Sequence, residues 1–206
     1  TGILLQSRKQ AMAPCGKGLR QTFSIGAFSI ILSITMKISF SSIIPKSKDT
    51  ALVSWKKQKQ SEVLLLSSGQ RSIVLGVTEP EKLTRRKLVI FSRQIITLAK
   101  ANQIKKIAFK FEDLSFSKLK ISREETAELL ATNVEMANFE SVKYKSKPKE
   151  GWGFIERIIV AGNVSPGVKY AFAMGQTIGQ EVNACRVLAN TPGGEMTPDV
   201  LAKEAV

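Results

Sequence analysis

The chain has 206 residues, 43% of them apolar and 23% charged, a composition that suits one ordinary globular domain with appendages and excludes a disordered body. Its net charge of +14 favours acidic partners, whether nucleic acid, anionic membrane or acidic protein. It contains no histidine, so Ser-His, Cys-His and His-metal mechanisms are excluded within these residues, and Cys15 and Cys185 form no disulfide framework or zinc spacing.

Residues 1–35 stand apart. They are basic and free of acids, and Phe23–Ile34 is an apolar run broken only by small residues. Basic-then-apolar order resembles a signal peptide, and the acid-poor composition allows a transit peptide. The run is too short for an ordinary membrane span of about 20 residues. A domain-like pattern starts at Met36, so 1–35 reads equally as upstream sequence or an extension outside the fold. The charge is skewed the same way. Seven Lys/Arg precede Asp49, the first acidic residue, leaving 24 against 17 Asp/Glu afterwards.

Residues 37–44, KISFSSII, and 51–55, ALVSW, are rich in β-branched and aromatic types and predict strands. KKQKQ at 56–60 is a polar turn. The apolar runs 62–68 and 71–77 flank Gly69-Gln70 and predict a hairpin. The period then changes. Leu83, Leu88, Phe91, Ile95, Leu98 and Ala99 keep helical spacing over 81–101, with Glu79 and Glu81 near the start and Lys100 near the end, where the helix dipole favours them. Residues 104–111 predict a strand. Ser122 N-caps a helix running to about Asn138, with Glu124 and Glu125 in its first turn. Residues 140–149, ESVKYKSKPK, predict a charged edge strand, and 154–162 an apolar strand. Ser165-Pro166 opens a third helix whose packing face is read as Val168, Ala171, Ile178, Val182, Cys185 and Ala189. Asn190–Gly194 ends it.

Strands alternating with helices predict an α/β fold with a mixed β-sheet flanked by helices, mixed because of the hairpin and a meander-like beginning. The expected domains are 36–164 for the α/β body, 165–190 for a long linker helix and 191–206 for the start of a second domain. Thr197, Pro198 and Asp199 are a good N-cap, first position and first-turn acid for a new helix, and Val200, Leu201 and Ala205 need a surface to cover them. The terminal segment is therefore expected to be a joint into a further, catalytic domain.

Few residues carry chemistry. Glu112-Asp113, the group Glu124, Glu125 and Glu128, and the group Glu195, Asp199 and Glu204 are carboxylates that need a shared cleft to act as acid and base. Near a helix start they are more simply dipole partners. GWGF at 151–154 lacks the later glycine of a dinucleotide loop. Gly193-Gly194 precedes a helix and is more simply a turn than an anion site. KYKSKPK has one interleaved aromatic, Tyr144, for touching a phosphate backbone. No catalytic, metal-binding or substrate-binding residue is assigned.

One resemblance is specific. EVNACRVLANTPGGEMTPDVLAKEA, 181–205, resembles the junction of the cytosol (leucyl) aminopeptidase family, where an N-x-x-R-x-L-x-N-x-P stretch leads into T-P-x-x-L-A-x-x-A. Asn183, Arg186, Leu188, Asn190, Pro192, Thr197, Pro198, Leu201, Ala202 and Ala205 match it, while Gly194 stands where the family usually has Asn. Residues 128–149 are similar to the family's helix and aromatic-basic strand. The resemblance implies a macro-domain-like N-terminal domain of a hexameric cytoplasmic metallopeptidase. Two divalent ions, Zn or Mn, would sit in its C-terminal domain and activate water against peptide substrates, with none expected in this chain. The rival readings are a basic nucleic-acid-binding accessory module and a stand-alone macro-like nucleotide-binding domain.

Overall fold

The hairpin is the simplest element to derive. In this computed structural model, which describes residues 36–116 and 119–204, β3 (Glu62–Leu65) and β4 (Arg71–Gly76) pair antiparallel. The turn closes through the Gly69 amide, which donates to the Leu66 carbonyl at 2.8 Å. Buried Gln70 donates its side-chain amide to the carbonyls of Thr50 and Pro45, tying the turn to the start of β2 (Thr50–Lys56).

The remaining strands are β1 (Lys37–Ser41), β5 (Lys106–Lys110) and β6 (Arg157–Ala161). The sheet order is β1-β6-β5-β2-β4-β3, and every pairing except the hairpin's is parallel. The sheet is therefore mixed and the class α/β, as the alternation of periods implies. The meander-like beginning is not found: β1 and β2 are separated by β6 and β5. Ile38 and Phe40 instead pack with the core reached through β6.

Three helices follow three strands: α1 (Arg85–Ala101) after β4, α2 (Arg123–Asn138) after β5, and α3 (Pro166–Asn190) after β6. The crossovers β4-α1-β5 and β5-α2-β6 step the same way across the sheet. Right-handed connections then place both helices on one face. That face carries Ile38, Phe40, Ala51, Val53, Ile73, Leu75, Ile107, Phe109, Ile158 and Val160, which merge with Leu88, Ile95, Leu130, Val134, Val168 and Phe172 of the helices into one core. Phe172 is its centre, with ring contacts to Phe40 at 5.7 Å and Phe111 at 5.6 Å.

Local sequence fixes the helix starts. The hydroxyls of Thr84, Ser122 and Ser165 accept from the backbone amides of Lys87, Glu125 and Val168, each cap stabilising by about 1 kcal/mol. The expected start of α1 is corrected by this. Pro80–Lys82 form a separate 3₁₀ turn, and the first turn of α1 holds Arg85, Arg86 and Lys87 with no acid. Glu79 and Glu81 therefore do not serve its dipole; Arg85 is offset instead by Glu125 of α2, 2.7 Å away.

The packing face expected for α3 is corrected as well. Its buried residues are Val168, Ala171, Phe172, Gly175, Gly179 and Val187, whereas Ile178, Cys185 and Ala189 are exposed. Backbone proximity decides this. A Cβ at Gly175 would lie 2.9 Å from Glu128 Cα and 3.0 Å from Ala131 Cβ, and closer still to the Glu128 carbonyl oxygen. At Gly179 it would lie 2.6 Å from Glu135 Cβ. The two glycines, one turn apart, let α2 and α3 touch backbone to backbone, and Thr132 can donate its hydroxyl to the Gly175 carbonyl at 3.0 Å. Apolar bulk would have held the helices apart.

The expected strand at 140–149 is absent; this segment is turns and irregular chain. The sheet ends at β1 and β3 without it, and the side chains of Lys143 and Tyr144 bond instead to Glu195 in the turn after α3. The β1 strand also stops at Ser41, where the hydroxyl turns the chain by donating to the Ile43 carbonyl at 2.7 Å. The readings for 1–35, including Cys15 and the apolar run Phe23–Ile34, lie outside the described residues.

Candidate functional site

The carboxyl ends of the parallel strands make one open cleft, a usual place for ligands in α/β sheets. It measures about 440 Å³ and is lined by Trp55, Pro80, Glu81, Glu112, Asp113, Ser115 and Phe116. Trp55 ends the core-facing row of β2, and its ring lies 5.5 Å from that of Phe116. Glu112 and Asp113 sit on a 3₁₀ turn directly after β5. The cleft thus joins Glu112 and Asp113 with Glu81, which spacing alone assigned to a helix start. Arg123 engages Glu112 at 3.4 Å and stacks over the Phe111 ring at 5.1 Å. All three carboxylates are exposed.

The other carboxylates do not converge there. Glu124, Glu125 and Glu128 stay on α2, and Glu125 faces Arg85. Among the described residues no group of three or more His, Cys, Asp or Glu is placed to hold a metal ion. No step of metal chemistry is therefore assigned to this chain's own residues. Gly151 and Gly153 lie in irregular chain before β6, and a Cβ at Gly193 or Gly194 meets nothing within 4 Å.

The joint is more informative than the cleft. A helix leaves its last four carbonyls without intrahelical donors, and α2 ends at Asn138. Asn183 of α3 donates its amide to the Glu135 carbonyl at 3.1 Å. Arg186 donates to the Met136 carbonyl at 2.9 Å and to Asn183 Oδ1 at 3.2 Å, with its guanidinium 5.8 Å from the Phe139 ring. Lys100 of α1 donates to the Asn138 carbonyl at 3.0 Å. Two residues of the N-x-x-R pattern therefore cap a neighbouring helix. Sequence reading could place them on a helix but could not say what they held.

Glu135 is buried beside them, which pushes its carboxyl above the ordinary range; a hydrogen bond from Gln176 at 3.0 Å partly opposes this. Gln176 also donates to the Met36 carbonyl, linking α3 to the entry of β1.

Beyond α3, a second contact closes the joint. Lys143 Nζ at 2.7 Å and the Tyr144 hydroxyl at 2.8 Å both donate to Glu195 Oε2. The two donors hold the Glu195 carboxyl below its usual range, and the carboxylate raises Lys143 above its own. KYKSKPK thus begins with a clasp on the turn after α3. Then α4 (Pro198–Glu204) starts at Thr197, whose hydroxyl accepts from Val200, and buries none of its residues; Leu201 is 49% exposed. No helix among the described residues is long and apolar enough to cross a membrane.

No family model matches the chain. A probable cytosol aminopeptidase of Nostoc punctiforme is 26% identical over 136 residues, which is 66% of this chain and 26% of that protein. A tomato leucine aminopeptidase mutant superposes with a TM-score of 0.66 at 18% identity, covering 82% of this chain and 41% of the other. The bottromycin maturation enzyme BotP in complex with Mn superposes with a TM-score of 0.60 at 15% identity, covering 77% and 35%. The chain spans about a quarter of the length of the curated relative it matches. In sequence and in its mixed-sheet fold, it is similar to the cytosol (leucyl) aminopeptidases.

Proposed function

We propose that this chain supplies the non-catalytic N-terminal domain of a leucyl-aminopeptidase-like metalloexopeptidase. Residues 36–164 form the α/β body, 165–190 the linker helix and 191–206 the entry to a catalytic domain. The full-length enzyme would release N-terminal amino acids from peptides in the cytoplasm as a hexamer. Its two Zn or Mn ions would lie in that further domain, where they would supply an activated water. The observation that carries this reading is the joint. Asn183 and Arg186, which match the family's pattern, fasten α3 to the end of α2, and Thr197-Pro198 then start an unburied helix.

A nucleotide-binding, macro-like role is disfavoured by the cleft. Glu81, Glu112 and Asp113 would face a pyrophosphate with like charge. The test is hydrolysis of leucine p-nitroanilide with added Mn²⁺. The purified chain should be inactive, and fusion to an aminopeptidase catalytic domain should give a folded, active enzyme. Robust metal-dependent turnover by the chain alone would overturn the assignment.

A further inference from the structure

Three neighbouring strands carry a cation in the same row. Lys37 of β1 stands beside Arg157 of β6, and Arg157 beside Lys106 of β5. Side chains in register on adjacent strands share a face and lie about 4.7–4.9 Å apart. The next residues along, Ile38, Ile158 and Ile107, belong to the helix-covered core, so the cations occupy the opposite face. Lys37 and Arg157 are exposed and Lys106 is half-buried.

None of the three takes part in an ion pair among the described residues. The residues outside the description, 1–35, 117–118 and 205–206, contain no Asp or Glu to neutralise them. Like charges directly across a strand pair destabilise a sheet. The row therefore carries repulsion that a bound anion would relieve.

We propose that this row docks an acidic helix of a protein partner, with carboxylates at i, i+3 and i+7 set against Lys37, Arg157 and Lys106. The spacing supports that choice. Two strand spacings span about 9.5 Å, and seven helical residues rise about 10.5 Å. Nucleic acid fits less well. The next row on this face is Ser39, Ile159 and Ala108, with no aromatic for base stacking. Backbone binding to a duplex grows with the number of phosphates neutralised, and this row offers three charges.

The test uses the full chain and two fluorescein-labelled probes at low salt. One is an alanine-based helical peptide with Glu at i, i+3 and i+7; the other is a short DNA oligonucleotide. The triple variant Lys37→Ala, Lys106→Ala, Arg157→Ala is compared with a control triple, Lys56→Ala at the far end of β2 with Lys57→Ala and Lys59→Ala in the turn that follows; each takes the net charge from +14 to +11. The row variant should weaken peptide binding about tenfold and the turn variant less than about twofold. Arg157→Lys keeps both charge and fold and should bind as the parent does, while Arg157→Glu should weaken peptide binding about as much as the row variant does. Equal weakening by the two triple variants, or no peptide binding by the parent, would overturn the proposal. Tighter, row-dependent binding of the oligonucleotide would overturn the acidic-protein assignment.

Discussion

Gly175→Ala should destabilise this protein although alanine is the better helix former. In an exposed helix the change would gain about 1 kcal/mol. Here the new methyl meets Glu128 Cα at 2.9 Å and Ala131 Cβ at 3.0 Å, atoms of α2 that no rotamer change can move. Ordinary contact needs α3 to retreat by several tenths of an ångström or more. Overpacking of this kind costs about 1–3 kcal/mol, and the retreat stretches the Thr132 hydrogen bond to the Gly175 carbonyl, worth about 1 kcal/mol more. The net loss is then about 1–3 kcal/mol, or roughly 3–10 °C in Tm for a domain of this size. Gly167→Ala is the control. It sits in the first turn of α3, where the added methyl finds only the flexible Glu124 carboxylate at 3.4 Å, so its melt should match or exceed the parent's. Thermal unfolding followed by far-UV circular dichroism reads both. A Gly175→Ala protein as stable as the parent would show that α3 does not sit on α2 as described.

Arg186→Ala should cost about 1–3 kcal/mol in urea unfolding, because it strips a charged donor from the Met136 carbonyl; Arg186→Lys should recover only part of that, since an ammonium lacks the planar guanidinium that lies over the Phe139 ring. Glu135→Gln should raise stability at neutral pH. Burial raises the folded carboxyl's pKa above the ordinary 4.5, so the parent is favoured at acid pH and loses stability as pH climbs from 4.5 through the folded value. The variant's advantage should therefore shrink in melts toward pH 4; an advantage independent of pH would refute the cause. Glu195→Ala should leave the melt unchanged but speed hydrogen exchange across 139–150 and 191–197. In the parent the same loosening should appear as pH falls below 4.5 through the lowered Glu195 value, or rises above 10.5 through the raised Lys143 value. Unaltered exchange in the variant would remove the clasp from the joint.

What the sequence discloses follows the range of the forces involved. The starts of α2 and α3 could be read at Ser122 and Ser165 because a cap is a contact over three residues. The β3–β4 hairpin was equally local. The place of β1 beside β6 was not legible, since it depends on a pairing across 120 positions. ESVKYKSKPK has strand-like alternation but joins neither sheet edge, and Glu195, which it holds instead, lies some 50 residues on. The face of α3 was misread because glycines score as gaps in an apolar stripe, whereas here they mark the contact. Asn183 and Arg186 were visible only as a pattern; their task became clear once the end of α2 lay beneath them. The cleft combined Glu81 with Glu112 and Asp113 from segments thirty positions apart, and nothing local announced it.

The bare glycine seam has a mechanical consequence. A helix of 25 residues is about 37 Å long, and this one is bolted from Gly175 to Arg186 to a second rod. The pair should behave as a strut with little give. A knock delivered where α3 leaves the sheet would then reach Asn190 as a displacement of the whole rod, and pass toward α4 only through the turn that Lys143 and Tyr144 pin at Glu195.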